Sequence, residues 1–133
     1  MTRGDTLNLL VKMSNAGPRD TALDVACGAG LVVCAFAEVV QGAAGIDLTP
    51  AMIQQARTLQ RKKGLTNVSW QVGDVVPLPY PDESFSIVTC RYALHHMENP
   101  AAVVGEMVRV CTPGGRVVVA DMYASSNPVK AAA

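Results

Sequence analysis

Asp24, Gly28 and Gly30 are close together in the sequence and have residue types suited to binding a charged ligand. Glycine lets the main chain bend sharply and pass close to a bound molecule, and the free N–H groups of a following helix face the same place. A carboxylate there repels a pyrophosphate but suits a ligand that carries positive charge. The three residues therefore predict a nucleotide-type binding turn for a partly cationic ligand.

A missing glycine distinguishes this turn from the dinucleotide fingerprint. That fingerprint has a third glycine three residues beyond the second, where helix and strand touch, and Val33 occupies this position here. S-adenosylmethionine carries a sulfonium and an ammonium group, so it suits the acidic turn better than NAD does. An NAD-dependent oxidoreductase is therefore the less favoured alternative.

A strand before the turn and a helix after it are both predicted. Residues 22–26 form an apolar run of β type, and residues 31–40 are almost all apolar, as in a helix covered nearly all round. Strands and helices then alternate, which predicts an α/β fold with a doubly wound, mostly parallel sheet in the order 3-2-1-4-5 and helices on both faces. Further strands are predicted at 43–47, 68–73, 85–90 and 117–120, and further helices at 6–14, at 50–63 and from Asn99 and Pro100 onward.

Apolar spacing also predicts which sides of these elements are buried. Alternating apolar residues at 68–73 are typical of an edge strand with one wet face. Nearly continuous apolar runs at 85–90 and 117–120 are typical of strands covered on both faces. The predicted apolar sides of two helices are formed by Met52, Ala56, Leu59 and Lys63, and by Val104, Met107, Val108 and Cys111.

Composition limits the possible classes of function. Eleven basic residues balance eleven acidic ones, so the chain has no charge excess that would attract nucleic acid. The four cysteines form no C-x-x-C pair and there are only two histidines, so no metal site is predicted. Without a signal peptide or an apolar stretch of membrane-spanning length, the chain is expected to be cytoplasmic, with reduced cysteines.

Five short motifs in order resemble those of the class I S-adenosylmethionine-dependent methyltransferases. They run from about Ala22 to Asp121, and they are most similar to the ubiquinone/menaquinone-biosynthesis branch with its methyltransferase type 11 domain. The resemblance implies a Rossmann-like fold, S-adenosylmethionine as cofactor, S-adenosylhomocysteine as product and a small-molecule acceptor. The motifs are Asp24-x-x-Cys27-Gly28-x-Gly30, Gly45-Ile46-Asp47, Gly73-Asp74, Phe85-Ser86-Ile87-Val88 and Pro113-Gly114-Gly115-Arg116.

Asp47 and Asp24 are the two carboxylates expected beside the cofactor near the glycine turn. Asp47 follows that turn by about 20 residues, where an acidic residue accepts hydrogen bonds from both hydroxyls of a ribose. Asp24 is expected to hold the ammonium side through water, or alternatively to cap the neighbouring turn. Backbone at Ala26, Cys27, Gly28 and Gly30 is expected to approach the methionine part of the cofactor.

The remaining cofactor contacts are implied by the resemblance. Leu48 and Met52 would line the ribose and adenine, and backbone at Cys90 and Arg91 would touch the methionine portion. The Asp74 carboxylate would accept from the adenine amine and the Val75 amide would face a ring nitrogen. Taken alone, an Asp such as Asp74 at a strand end is more often a turn former.

His95 and His96 are the candidate catalytic residues. Methyl transfer is an in-line displacement, so alignment of the reactants provides much of the catalysis. A base is needed only where the acceptor loses a proton, and a histidine has a suitable pKa for that step. In the alternative, one histidine packs or caps the next turn and the other is solvated.

Residues 1–133 are expected to form one domain with a leading helix, a core and a short tail. Residues 1–20 are expected to form a leading helix, which covers the cofactor or packs on the sheet, followed by a core at 21–121 and a tail at 122–133. The resemblance implies two further strands, for which the tail is too short. The fifth strand would then have an open edge, covered by a partner chain as in a homodimer, by an exchanged segment or by the tail. A module that binds the cofactor without catalysis is therefore the alternative function.

Overall fold

The computed structural model describes residues 3–91 and 97–120, which form four helices and five strands. In chain order the elements are α1 (Arg3–Met13), β1 (Thr21–Val25), α2 (Leu31–Ala37), β2 (Gly42–Asp47), α3 (Pro50–Lys63), β3 (Val68–Val72), β4 (Phe85–Arg91), α4 (Pro100–Val110) and β5 (Cys111–Ala120).

The five strands form one parallel sheet in the order β3-β2-β1-β4-β5. The predicted strand order is confirmed, and β3 lies at an edge as expected. Because β1 pairs with both β2 and β4, the strand order reverses at β1 and opens a crevice at the carboxyl ends of the strands.

Both faces of the sheet are covered, because successive strand residues point to opposite sides. Leu23 and Val25 of β1 pack in a cluster with residues of α4, whereas Ala22 packs in a second cluster with residues of α1, α2 and α3. The prediction of helices on both faces is confirmed. Leu78, from the connection after β3, belongs to the α4 cluster and is 3% exposed.

The connection between β3 and β4 has no helix, so the prediction that helices and strands alternate throughout is wrong there. Residues 73–84 form a loop instead. The sequence contains the reason, because Pro77, Pro79 and Pro81 remove backbone N–H donors and crowd a helical turn. The loop buries Leu78 and so covers the part of the sheet that a helix would otherwise cover.

The predicted buried sides of α3 and α4 are confirmed at Ala56, Met107 and Cys111, whereas neighbouring positions replace the other predicted residues. In α3 the fully buried residues are Ile53 and Ala56. In α4 they are Val103, Met107 and Val110, while Val108 is 45% exposed. Both helices have adjacent apolar residues, so periodicity alone leaves two sides almost equally suited to face the sheet.

Two element boundaries also differ from prediction. The helix predicted at 31–40 ends at Ala37, and residues 38–40 form a turn. The last strand begins at Cys111 rather than at Val117, and its pairing with β4 shifts register between Phe85 and Ile87. Pro113, Gly114 and Gly115 therefore form an irregularity inside β5.

Candidate functional site

A cleft of about 630 Å³ lies at the carboxyl ends of β1, β2 and β3, beside the start of α4. Five of the residues predicted to bind a cofactor line it, namely Ala26, Asp47, Leu48, Asp74 and Val75. This is the crevice in which open parallel sheets bind their ligands. Predicted cofactor-binding residues at the ends of the first three strands therefore lie around one cleft.

The other predicted contacts in the described residues lie outside this cleft lining. Asp24, Cys27 and Cys90 are buried, and Gly30 is buried under neighbouring side chains. The remaining three, Gly28, Met52 and Arg91, are half-buried. His95 and His96 lie outside the described residues, so their catalytic role stays a prediction.

Residues at the start of α4 form a cleft wall that the sequence analysis missed. Asn99 caps this helix by accepting a hydrogen bond from the Ala102 N–H at 3.1 Å. The Asn99-Pro100 pair had indicated a helix start, and a helix that follows a strand begins at the carboxyl edge of the sheet. The missed lining residues are Thr49, Val76, Met97, Glu98, Asn99, Ala102 and Val103.

The turn after β1 has the left-handed backbone that its glycines permit. Gly28 has φ +55°, and a Cβ placed there would have no atom within 4 Å. Gly30 has φ +85°, but a Cβ there would lie 2.7 Å from the Trp70 ring and 2.8 Å from the Ala56 side chain. Gly28 therefore leaves space beside the turn, whereas Gly30 is needed for packing against α3 and β3.

Gly45 on β2 allows the close contact between α2 and the sheet that a third glycine in the turn would otherwise allow. A Cβ placed on Gly45 would lie 2.9 Å from Val33 Cγ2 and 2.8 Å from Cys27 Sγ. The close contact between α2 and the sheet is therefore made by a valine on the helix and a glycine on β2. The dinucleotide fingerprint makes this contact with the glycine on the helix.

Asp47 is bonded to the glycine turn and to its own loop. Its Oδ1 accepts from the Gly28 N–H at 3.1 Å, and its Oδ2 accepts from the Thr49 N–H at 3.1 Å. Thr49 is the N-cap residue of α3 but makes no side-chain capping bond, so Asp47 supplies the side-chain acceptor at the start of this helix. Each carboxylate oxygen has a second lone pair, so Asp47 retains acceptor capacity towards the cleft.

Asp74 forms a local turn at the opposite side of the cleft. Its Oδ1 accepts from the Val75 N–H at 2.7 Å and from the Val76 N–H at 3.4 Å. The Val75 amide, which the resemblance directs at a ring nitrogen, is thus bonded to Asp74 in this structure. The second oxygen of the exposed carboxylate stays available to a ligand.

Asp24 is a buried carboxylate, 4% exposed, at the end of β1. The Thr89 hydroxyl on β4 donates to its Oδ1 at 2.7 Å. Burial raises the pKa of Asp24 to about 7, although the Thr89 hydrogen bond and the charge of Arg91 lower it and the charge of Asp47 raises it further. Asp24 is therefore a titratable group directly behind the glycine turn.

The four cysteines, at positions 27, 34, 90 and 111, are buried and form no disulfide bonds with one another. Burial raises the pKa of the Cys27 thiol, and the nearby Asp24 and Asp47 charges raise it further. This thiol stays protonated and unreactive.

In the residues that the structure describes, no three side chains of His, Cys, Asp or Glu are grouped to hold a metal ion. None of the helices within those ranges has the length and apolar character needed to cross a membrane.

Comparisons with known proteins point in one direction. Residues 23–119 match the family model described as a methyltransferase domain. The uncharacterized methyltransferase YcgJ of Bacillus subtilis is 39% identical over 126 residues, which are 95% of this chain and 50% of that protein. The 2-phytyl-1,4-naphtoquinone methyltransferase of Synechococcus elongatus is 33% identical over 126 residues, covering 91% of this chain and 54% of that protein.

The crystal structure of YcgJ from Bacillus subtilis has the same arrangement of elements. It superposes with a TM-score of 0.85 at 37% identity, covering 90% of this chain and 51% of that one. The chain therefore spans about half the length of the relatives that it matches.

Proposed function

Because this chain belongs to the methyltransferase domain family, we propose that it transfers a methyl group from S-adenosylmethionine to a small-molecule acceptor. S-adenosylmethionine is the cofactor expected of this family, as the resemblance implied. The observation that carries the proposal is the cleft itself, with Asp47 and Asp74 at the ends of neighbouring strands and the glycine turn beside them.

The cleft suits the nucleoside part of the cofactor. Asp47 offers two carboxylate oxygens to the ribose hydroxyls, and Asp74 offers an acceptor to the adenine amine. Leu48 is 69% exposed and Val76 is 42% exposed, although both line the cleft. An adenine ring placed there would cover apolar surface that is otherwise in water.

The cationic end of the cofactor would lie towards β1 and β4. Asp24, behind the glycine turn, supplies negative charge for the ammonium through water, while Ala26, Cys27, Gly28 and Gly30 supply backbone. Leu48 and Met52 would line the ribose, and backbone at Cys90 and Arg91 would border the methionine part. These roles rest on the resemblance together with the position of each residue at the carboxyl edge of the sheet.

The reaction needs little covalent chemistry from the protein. When bound, the cofactor supplies a methyl carbon already activated by its sulfonium, so the residues of the cleft act mainly by alignment. His95 and His96 are proposed as bases for acceptors that lose a proton on methylation.

The acceptor is proposed to be a small, largely apolar phenol or quinol. The relative from Synechococcus elongatus is named a 2-phytyl-1,4-naphtoquinone methyltransferase, which favours this class. Single-turnover transfer from radiolabelled S-adenosylmethionine to a panel of phenols, quinols and amines tests the proposal. Labelled phenol or quinol product is expected. Cofactor binding without transfer to any compound would instead favour a non-catalytic binding module.

We also propose that the edge of β5 is covered in the working protein, by a second copy in a homodimer, by an exchanged segment or by the tail at 122–133. In the described residues β5 pairs with β4 alone, and Val117, Val118 and Val119 are buried. A cytoplasmic location is proposed from the reduced, buried cysteines.

A further inference from the structure

Arg109 of α4 joins the helix to the loop at 73–84 through several hydrogen bonds. Its Nη2 donates to the Leu78 carbonyl at 3.0 Å, and its Nη1 donates to the Tyr80 carbonyl at 3.0 Å and to Asp82 Oδ1 at 2.8 Å. Its Nε and Nη2 also donate to the two oxygens of Glu106, at 2.9 and 3.0 Å. One guanidinium thus holds two loop carbonyls and two carboxylates.

Glu106 completes the connection from the same helix. Its Oε1 accepts from the Leu78 N–H at 2.6 Å, so both backbone groups of Leu78 are bonded to α4. The Arg109 hydrogen bond lowers the pKa of Glu106, which keeps this acceptor ionised. We call Glu106 and Arg109 the loop latch.

The loop latch lies directly behind two opposite walls of the cleft. Val75 and Val76, on the loop wall, come just before the latched Leu78. Ala102 and Val103, on the helix wall, lie about one helical turn before Glu106. The far end of the loop is also bonded to α4 by backbone, since the Glu83 and Ser84 N–H groups donate to the Arg109 and Val110 carbonyls. Within the part of the loop next to the cleft, the loop latch supplies the hydrogen bonds that join the loop wall to the helix wall.

We propose that Arg109 and Glu106 are positioning residues for the adenosine part of the cofactor. This inference rests on the proposed function, because it assumes that the cleft binds S-adenosylmethionine. Arginine suits the role since its planar fork presents five donors in fixed directions. Lysine keeps the charge, but its ammonium group lies on a flexible side chain and cannot bond both loop carbonyls in fixed directions. We therefore expect the width of the cleft to vary in the lysine variant.

The test compares Arg109→Lys with Arg116→Lys, a matched change at the other end of the sheet. Arg116 Nη2 lies 2.9 Å from Asp20 Oδ2, and the Arg116 side chain is 28% exposed against 31% for Arg109. Asp20 directly precedes β1, and Arg116 begins the regular part of β5, so both residues lie at the amino ends of the strands and far from the carboxyl edge. Glu106→Gln is a second latch variant that keeps the shape of the side chain.

Dissociation constants for S-adenosylhomocysteine and for adenosine are measured by calorimetry, at a temperature where circular dichroism shows every variant folded. Arg109→Lys should weaken both ligands by about tenfold and Glu106→Gln by a smaller factor. Arg116→Lys should lower the melting temperature yet leave both constants within about twofold of wild type. The second latch variant decides the matter if Arg109→Lys does not fold.

The possible outcomes separate the two proposals. Latch variants that fold and bind both ligands like the wild type would overturn the positioning role, even if their melting temperatures fall. Equal weakening by Arg116→Lys would overturn it as well, because the effect would then be one of general stability. A wild-type chain that binds neither ligand would overturn the proposed function instead.

Discussion

Asp24 of β1 and Thr89 of β4 form a buried polar pair between the two strands. Burial raises the pKa of Asp24 from its usual 3.8 to about 7, so the folded chain holds a proton in this range that the unfolded chain has lost. The contribution of Asp24 to stability is therefore greatest below about pH 4 and is lost as pH rises to about 7. Under the proposed function we expect ligand binding to have the opposite pH dependence, because the ionised Asp24 carboxylate would attract the ammonium group of the cofactor.

Replacing Asp24 with asparagine should flatten the pH dependence of stability. The wild-type free energy of unfolding should fall, relative to the variant, by about 3 kcal/mol from pH 4 to pH 7. Asp20 and Glu106 have lowered pKa values, so their effects on stability fall at the acid end of this range. Both groups are present in wild type and variant, so their effects cancel in the comparison. Urea unfolding at several pH values measures the difference, and parallel curves for the two proteins would refute the assignment.

Thr89→Val should shift the pH dependence of cofactor binding. The Thr89 hydrogen bond lowers the pKa of Asp24, so its loss should move the midpoint for S-adenosylhomocysteine binding to higher pH. Valine has almost the shape of threonine, and Thr89→Ser is the control that keeps the hydroxyl. Calorimetric titrations between pH 5.5 and about 8.5 bracket the expected midpoint. A common midpoint for all three proteins would show that Thr89 does not act on this group.

Asp47→Ala should weaken S-adenosylhomocysteine binding by roughly 1.5–3 kcal/mol, because hydrogen bonds to a charged acceptor are lost. The change also frees the N–H groups of Gly28 and Thr49, so Asp47→Asn, which keeps one acceptor oxygen, should lose less. Glu38→Ala removes an exposed carboxylate outside the cleft and serves as control. Affinity that barely changes in Asp47→Ala would exclude the ribose role.

At the scale of elements, two glycines with similar backbone conformation can show whether the turn between β1 and α2 contacts the ligand. Gly28 and Gly64 both have left-handed backbone, at φ +55° and +67°, and a Cβ at either would have open space. Alanine at each position should therefore lower the free energy of unfolding by a similar amount, roughly 1–2 kcal/mol. Gly64 ends α3, away from the cleft. Calorimetry should find weaker S-adenosylhomocysteine binding only in Gly28→Ala, and unchanged binding there would mean that the ligand does not approach Gly28.

Much of the sheet could be predicted from the sequence because strand burial depends on local patterns. The same patterns placed Asp47 and Asp74 at or just after strand ends, and so predicted part of the lining of the cleft. The orientation of α4 could not be predicted, since Val103 and Val104 are both apolar and packing against the sheet decides between them. The loop latch was also missed, because Arg109 and Leu78 are far apart in sequence and only the fold brings them together.

At the scale of the whole molecule, the outer edge of β5 is where we propose that a partner binds. An apolar strand with unpaired backbone groups associates readily, and β5 has a single neighbour among the described residues. Light scattering after size exclusion should give a multiple of the 14.0 kDa chain mass, or a monomer whose amides at 117–119 exchange slowly. A monomer with fast exchange at those amides would show a bare edge.

We propose above all that the cleft beside the glycine turn binds S-adenosylmethionine. Calorimetric titration of the chain with S-adenosylhomocysteine and, in parallel, with NAD tests it most directly. We predict saturable heat with S-adenosylhomocysteine, reduced in Asp47→Ala and unchanged in Glu38→Ala, and no heat with NAD. Absence of binding at saturating S-adenosylhomocysteine, or saturable binding of NAD in its place, would contradict the account.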